Sequence, residues 1–220
     1  TAALKSGCRV TLFDIEPERG AEARENARLH EVNDRAPSVE QDVITEDLAT
    51  FYRACVLEAG AHGVYYSSQG GERGLLTDEE HAQFVKAHDI RLLTAIRQVA
   101  EFTVGHFCGR SLALERFVDY PVDLVNWAPQ AANLALAAGR ALFGKPVLGG
   151  LDERGPLVTG ARPALAAEVR EALAALGPRG AMLGAGCTVP GDIDLAHIVY
   201  ARDVAREASA AMCRRAWPEV

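Results

Sequence analysis

The 220-residue sequence lacks several features that would assign it to a special class of protein. No apolar run approaches the roughly 20 residues that a membrane-spanning helix requires, and nothing near the start resembles the basic-then-apolar layout of a signal peptide. Lysine is scarce, at three residues, and no cluster of basic residues interrupts a chain of net charge −7. Nucleic acids and anionic membranes need a concentrated basic surface, so neither is expected as a partner.

The cysteines also argue against a small, disulfide-bonded secreted domain. There are five of them, an odd number at irregular spacing, which does not resemble the disulfide framework of a small secreted domain. A reducing, cytoplasmic location is therefore expected. The remaining composition, 49% hydrophobic and 24% charged, is that of an ordinary globular protein rather than a disordered or fibrous one.

Short apolar runs alternate with amphipathic helical patterns along most of the chain. The predicted strands cover residues 63–68, 103–108, 122–127, 147–151 and 181–183. A capping box from Thr77 to Glu80 predicts the start of one helix, and residues 130–143 are predicted to form another. No hairpin signal joins them, which indicates parallel strands linked by right-handed helical crossovers. Two architectures fit, a (β/α)₈ barrel and an open doubly wound sheet, and in both the functional side chains follow the strand C-termini.

Three residues have the composition of a metal site. His106 and Cys108 are two positions apart in a predicted strand, so their side chains face the same side. Cys187 lies on a glycine-rich turn after a later strand. One imidazole and two thiolates with an open fourth position would form a catalytic zinc site. The alternative is three unrelated residues, since free cysteine is commonly buried as a small hydrophobic side chain.

Other candidate residues also follow predicted strands. Asp152 comes directly after one strand and is predicted as a catalytic residue together with Ser68. Gln69 and Trp127 are predicted to bind substrate, Gln69 at a polar edge and Trp127 by stacking. The alternatives are that Ser68 and Gln69 only form a turn and that the Trp127 indole only packs in the core. Cys55 lies in an apolar helical stripe and is expected in the core.

Five stretches of the chain resemble the uroporphyrinogen decarboxylase superfamily and occur in that superfamily's order. They are LEAGAHGVYYSS at 57–68, VGHFCG at 104–109, VDLVNW at 122–127, LGGLD at 148–152 and LGAGCTVP at 183–190. The resemblance implies a (β/α)₈ TIM barrel over residues 36–220 that is incomplete at its N-terminus, where residues 1–35 form a separate segment. A barrel with missing strands has exposed edges, which a homodimer would cover.

Within this superfamily the chain is most similar to the zinc-dependent methyltransferases that use a cobamide. The resemblance implies zinc held by His106, Cys108 and Cys187, a corrinoid as methyl donor and a corrinoid protein as partner. It also implies a small-molecule thiol, such as coenzyme M, as acceptor.

Two other functions stay open. One is uroporphyrinogen decarboxylase itself, a carboxy-lyase of porphyrin biosynthesis that acts on a tetrapyrrole. Its Leu-Gly-His-Gly motif lacks the histidine here, because Ala185 stands in its place. The other is a non-catalytic fragment or subunit of such a barrel.

The first 35 residues carry a second resemblance. Residues 9–14 and 23–27 resemble the second strand and helix of a class I S-adenosylmethionine methyltransferase, in which Asp14 would hold ribose hydroxyls. A solvated acidic turn at Asp14 is the alternative interpretation, and it is preferred.

Overall fold

The computed structural model of the chain describes residues 38–177 and 179–216. They form two compact units. The first contains the described residues through Gly109 together with Glu115–Asp123, and the second contains Arg110–Leu114 and the described residues from Leu124 onward. The predicted boundary at residue 35 and the role of Asp14 lie outside the described residues and stay predictions.

The first unit is built on two parallel strands. Helix α1 (Ser38–Leu57) precedes strand β1 (Gly63–Ser68), and strand β2 (Phe102–Phe107) pairs with β1 from Gly63↔Phe102 to Ser68↔Phe107. Between the strands lie α2 (Asp78–His81), a π-helical turn (Ala82–Lys86) and α3 (Ala87–Arg97). Helix α2 begins with the capping box that the sequence predicts, in which the Thr77 and Glu80 side chains each accept the other's backbone N–H.

The second unit contains the remaining strands. Strand β4 (Val147–Leu151) lies between β3 (Leu124–Asn126) and β5 (Ala181–Ala185), and both pairings are parallel. The helices of this part of the chain are α4 (Leu136–Phe143), α5 (Pro156–Thr159), α6 (Arg162–Leu176) and α7 (Leu195–Ala216). Two 3-10 turns, Leu114–Phe117 and Pro129–Ala131, complete the described elements.

The α/β class with parallel strands is therefore confirmed, while closure into an eight-stranded barrel stays a prediction. Two predicted elements are shorter than expected. A helix expected from residue 130 begins at Leu136, because Ala132 has a left-handed backbone with φ 58°. A strand expected from residue 122 begins at Leu124, and Asp123 before it binds Thr103 through both its backbone N–H and its carboxylate. Among the described helices, none combines the length and apolar character needed to cross a membrane.

A buried carboxylate organises the core of the first unit. Asp89 of α3 accepts hydrogen bonds from three hydroxyl groups: Ser68 Oγ at 2.5 Å, Tyr120 Oη at 3.0 Å, and Tyr66 Oη. Burial raises the pKa of the Asp89 carboxyl, and the three donors oppose that rise. These hydrogen bonds attach one face of β1 to α3.

An apolar cluster and one amide organise the second unit. Leu151 of β4 packs with α6 and α7 in a cluster whose other buried members are Leu157, Leu165, Ala166, Val169, Leu173, Ala201 and Val204. The fully buried Asn126 side chain donates from Nδ2 to Leu148 O at 2.7 Å and to Ala185 O at 3.1 Å. Asn126 thereby attaches β3 to the carboxyl-terminal part of β5 as well as to β4.

Replacing Asp89 by alanine tests this core. The substitution leaves three buried hydroxyl donors without their acceptor, and we expect it to lower the free energy of unfolding by about 3 kcal/mol or more. The control is Asp119→Ala, since Asp119 is 62% exposed in its ion pair with Lys86. That change should cost within about 0.5 kcal/mol. Urea denaturation measures both, and equal effects would contradict the assigned role of Asp89.

Candidate metal centre

His106 and Cys108 occupy the carboxyl end of β2 in the first unit. His106 is buried, at 3% exposure, and Cys108 is half-buried directly after the strand. The Cys108 N–H donates to Ser68 O at 3.0 Å, so the parallel pairing continues one residue beyond β2. Alternation along an extended backbone therefore gives both side chains the same face of the strand pair, as the sequence predicts.

The register adds two residues of β1 to this face. Ser67 is directly opposite His106, and Tyr65 lies two residues earlier on the same face. The Tyr65 ring stacks on the His106 imidazole, with ring centroids 5.5 Å apart and an interplanar angle of 25°. The face that carries the imidazole and the thiol is therefore aromatic and polar.

Ser68, the predicted catalytic serine, lies on the opposite face of β1. It pairs with Phe107 rather than with His106, and its buried hydroxyl donates to Asp89. The structure thus does not bring Ser68 together with His106, and its catalytic role stays a prediction. The reason is the two-residue period of a strand, which gives neighbouring residues opposite faces.

Cys187 follows β5 in the second unit on a closely packed turn. The preceding Gly186 donates its N–H to Leu151 O at 2.8 Å, and Cys187 is half-buried. A Cβ atom on Gly186 would lie 2.7 Å from the Cα of Ala128, which is closer than real side-chain contacts. Only glycine fits there, so the packing of this turn fixes the backbone position from which the Cys187 side chain extends.

One acidic side chain, Glu153, interacts electrostatically with Cys187 within its unit. Burial raises the pKa of the Glu153 carboxyl, and electrostatic interactions with Cys187 and Asp152 raise it further. Glu168, whose pKa is also raised by burial, accepts the Asp152 N–H at 2.8 Å. Burial thus favours the protonated form of both the Glu153 and the Glu168 carboxyl.

The other predicted site residues have the following places. Asp152 is half-buried directly after β4, and its Oδ1 accepts the Arg154 N–H at 2.8 Å, which forms a local turn. Trp127 is fully buried; its indole contacts Gly139 and Phe143, and its Nε1 donates to Leu134 O at 2.8 Å. Gln69 is half-buried in the loop after β1. The catalytic and substrate-binding roles of all three stay predictions.

The three predicted metal ligands are divided between the units, with His106 and Cys108 in the first and Cys187 in the second, and a common site for them stays a prediction. Each residue offers one ligand atom, a ring nitrogen or a thiol sulfur. Imidazole nitrogen and thiolate sulfur are the donors that zinc prefers, so the chemistry of this set fits that ion.

The sequence interpretation missed two residues that interact with the candidate ligands, Tyr65 by ring stacking and Glu153 electrostatically. Tyr65 is two residues before Ser67 and so lies on the same face of β1. The strand period would have identified it if the register of β1 against β2 had been known. Glu153 directly follows Asp152, but only the folded loop brings its carboxyl into electrostatic contact with Cys187.

Comparison with known proteins gives a similarity in fold. No family model matches the chain, and no curated protein has significant sequence similarity to it. A solved structure of a methyltransferase from Methanosarcina mazei matches with a TM-score of 0.64 and 21% sequence identity. The match covers 76% of this chain and 48% of that protein, so the chain spans about half of its length. At this identity the likeness shows the fold alone.

The packing of the Cys187 turn predicts the effect of a single methyl group. Gly186→Ala should lower the free energy of unfolding by roughly 1–3 kcal/mol, because the new Cβ must displace the Ala128 backbone. Gly191→Ala is the matched control, since a Cβ there meets nothing within 4 Å. It should change stability by less than about 0.5 kcal/mol. If urea denaturation finds the two variants equally stable, the close packing of Gly186 is wrong.

Proposed function

We propose that this chain is part of a zinc-dependent enzyme that transfers a methyl group from a corrinoid-type donor to a small-molecule thiol. The observation that carries the proposal is the donor set, because one imidazole and two thiols lie at or just after the carboxyl ends of strands in a parallel α/β fold. Three protein ligands and an open fourth position are the composition of a catalytic zinc site, whereas structural sites are closed by four protein ligands.

In this proposal His106, Cys108 and Cys187 are the three protein ligands of one zinc ion. Two thiolates and a neutral imidazole balance the formal charge of Zn²⁺. A fourth, anionic ligand would then make the assembly negative overall, which preserves electron density on a bound sulfur.

The chemistry that zinc supplies when bound is a lowered pKa for a substrate thiol, which is then present as thiolate at neutral pH. In the transfer, the substrate sulfur forms a bond to the methyl carbon while the bond from that carbon to its donor breaks. The electron pair of the broken bond stays with the donor, and the thiol proton passes to solvent. The face formed by Tyr65, Ser67, His106 and Cys108 would orient the sulfur for this attack.

A solved structure with a similar fold is that of a methyltransferase, which agrees with this reaction class. The absence of the Leu-Gly-His-Gly histidine, replaced by Ala185, favours it as well. Because the chain spans about half of the neighbour's length, the donor, the acceptor thiol, a corrinoid protein as partner and closure of a TIM barrel all belong to the proposal.

Substitution of Cys187 tests the proposal directly. The full chain should hold one zinc ion per molecule by elemental analysis and should accelerate methyl transfer from methylcobalamin to a small thiol. Cys187→Ser should lose stoichiometric zinc and that activity, because two protein ligands remain. The substitution lies on a loop, so it should change the free energy of unfolding by no more than about 0.5 kcal/mol.

The matched control is Cys55→Ser. Cys55 is half-buried in an open groove of α1 with Phe51 and Ala54, which corrects the expectation that it lies in the core, and burial raises the pKa of its thiol. This variant should keep both zinc and activity. A parent chain that takes up no stoichiometric zinc would overturn the proposal. If Cys187→Ser holds zinc as tightly as the parent, Cys187 is not a ligand and the decarboxylase becomes the better description.

A further inference from the structure

We infer that Tyr65 is a positioning residue for His106, and that its ring holds the imidazole in the orientation required for metal binding. This inference rests on the proposed function, in which His106 is a zinc ligand. It adds a residue that acts through the histidine and is not itself a metal ligand. All of the geometry that carries it lies in the first unit.

The stacking follows from the register of β1 and β2. Ser67 is directly opposite His106, so Tyr65 is opposite Val104 and reaches His106 diagonally along the same face. Diagonal neighbours in paired strands are within reach of aromatic side chains. The rings are 5.5 Å apart between centroids and only 25° from parallel, which is an offset-stacked arrangement rather than a chance edge contact.

The stack restricts the one torsion that matters for a histidine ligand. The backbone of β2 and the burial of His106 fix the position of its Cβ atom. Rotation about the Cβ–Cγ bond still changes the direction in which the ring nitrogens point. A nearly parallel ring against one imidazole face opposes that rotation. The nitrogen then stays aimed in one plane, so less conformational entropy is lost when a metal binds.

The neighbouring tyrosine of β1 has a different task. Tyr66 points to the opposite face, where its hydroxyl donates to Asp89, and its ring packs against Tyr52. Of these adjacent tyrosines, Tyr66 thus contributes to the stability of the core and Tyr65 contacts the histidine. The contact that joins Tyr65 to His106 is through the ring, so the aromatic ring and not the hydroxyl should be the required part.

Two substitutions at Tyr65 test this division, with zinc affinity measured on the full chain by chelator competition. Tyr65→Leu removes the ring and should weaken zinc binding roughly tenfold, the lower end of the range for residues that orient a metal ligand. Tyr65→Phe keeps the ring and should bind within about twofold of the parent, because only the hydroxyl is lost. With Co²⁺ in place of zinc, the Leu variant alone should shift the visible d–d absorption bands.

The control is Tyr52→Leu, which removes a buried ring that packs on Tyr66 and Phe51 in the same unit. It should lower the melting temperature and leave zinc affinity unchanged. Circular dichroism reports the folded fraction of each variant, and Tyr65→Met, closer in volume, replaces the Leu variant if that one unfolds. Unchanged affinity without the ring, or a Phe variant as weak as Leu, would overturn the inference while the proposed function stands. A parent chain without zinc would overturn both.

Discussion

The two-residue alternation of side chains along β1 and β2 is the constraint on which the candidate centre depends. The parallel register sets Ser67 against His106 and Ser68 against Phe107, so one face of the pair carries the imidazole and the other faces the helices. On the helical face, Ser68 and Tyr66 donate to the buried Asp89. A slip of one residue would exchange the two faces. The Asp89 hydrogen bonds therefore also hold the imidazole on its side.

The second unit presents its thiol by a different physical means. Cys187 is not in a strand, and its place is set by the turn at Gly186, which packs against Ala128 too closely for any side chain. The Gly186 N–H binds Leu151 O, so the turn is attached to the end of β4 as well. Backbone packing thus positions Cys187, whereas strand alternation positions His106 and Cys108.

Much of the fold could be predicted from the sequence, because apolar runs, capping residues and the absence of hairpin turns are local signals. The strand 63–68, the capping box at Thr77 and the parallel α/β class are examples. Pairing His106 with Cys108 needed only the period of a strand. Ser68 and Trp127 show the limit, since the choice of face and the packing of an indole depend on register and on neighbours distant in sequence. Tyr65 and Glu153 were missed for the same reason.

The central claim is that one nitrogen and two sulfur atoms of this chain bind the same zinc ion. X-ray absorption at the zinc edge, on the full chain loaded with one equivalent, tests it most directly. The account predicts two sulfur atoms at about 2.3 Å and a nitrogen at about 2.0 Å, with a third sulfur joining the shell when a small thiol is added. A first shell made only of nitrogen and oxygen, or a shell that does not change with thiol, would contradict it.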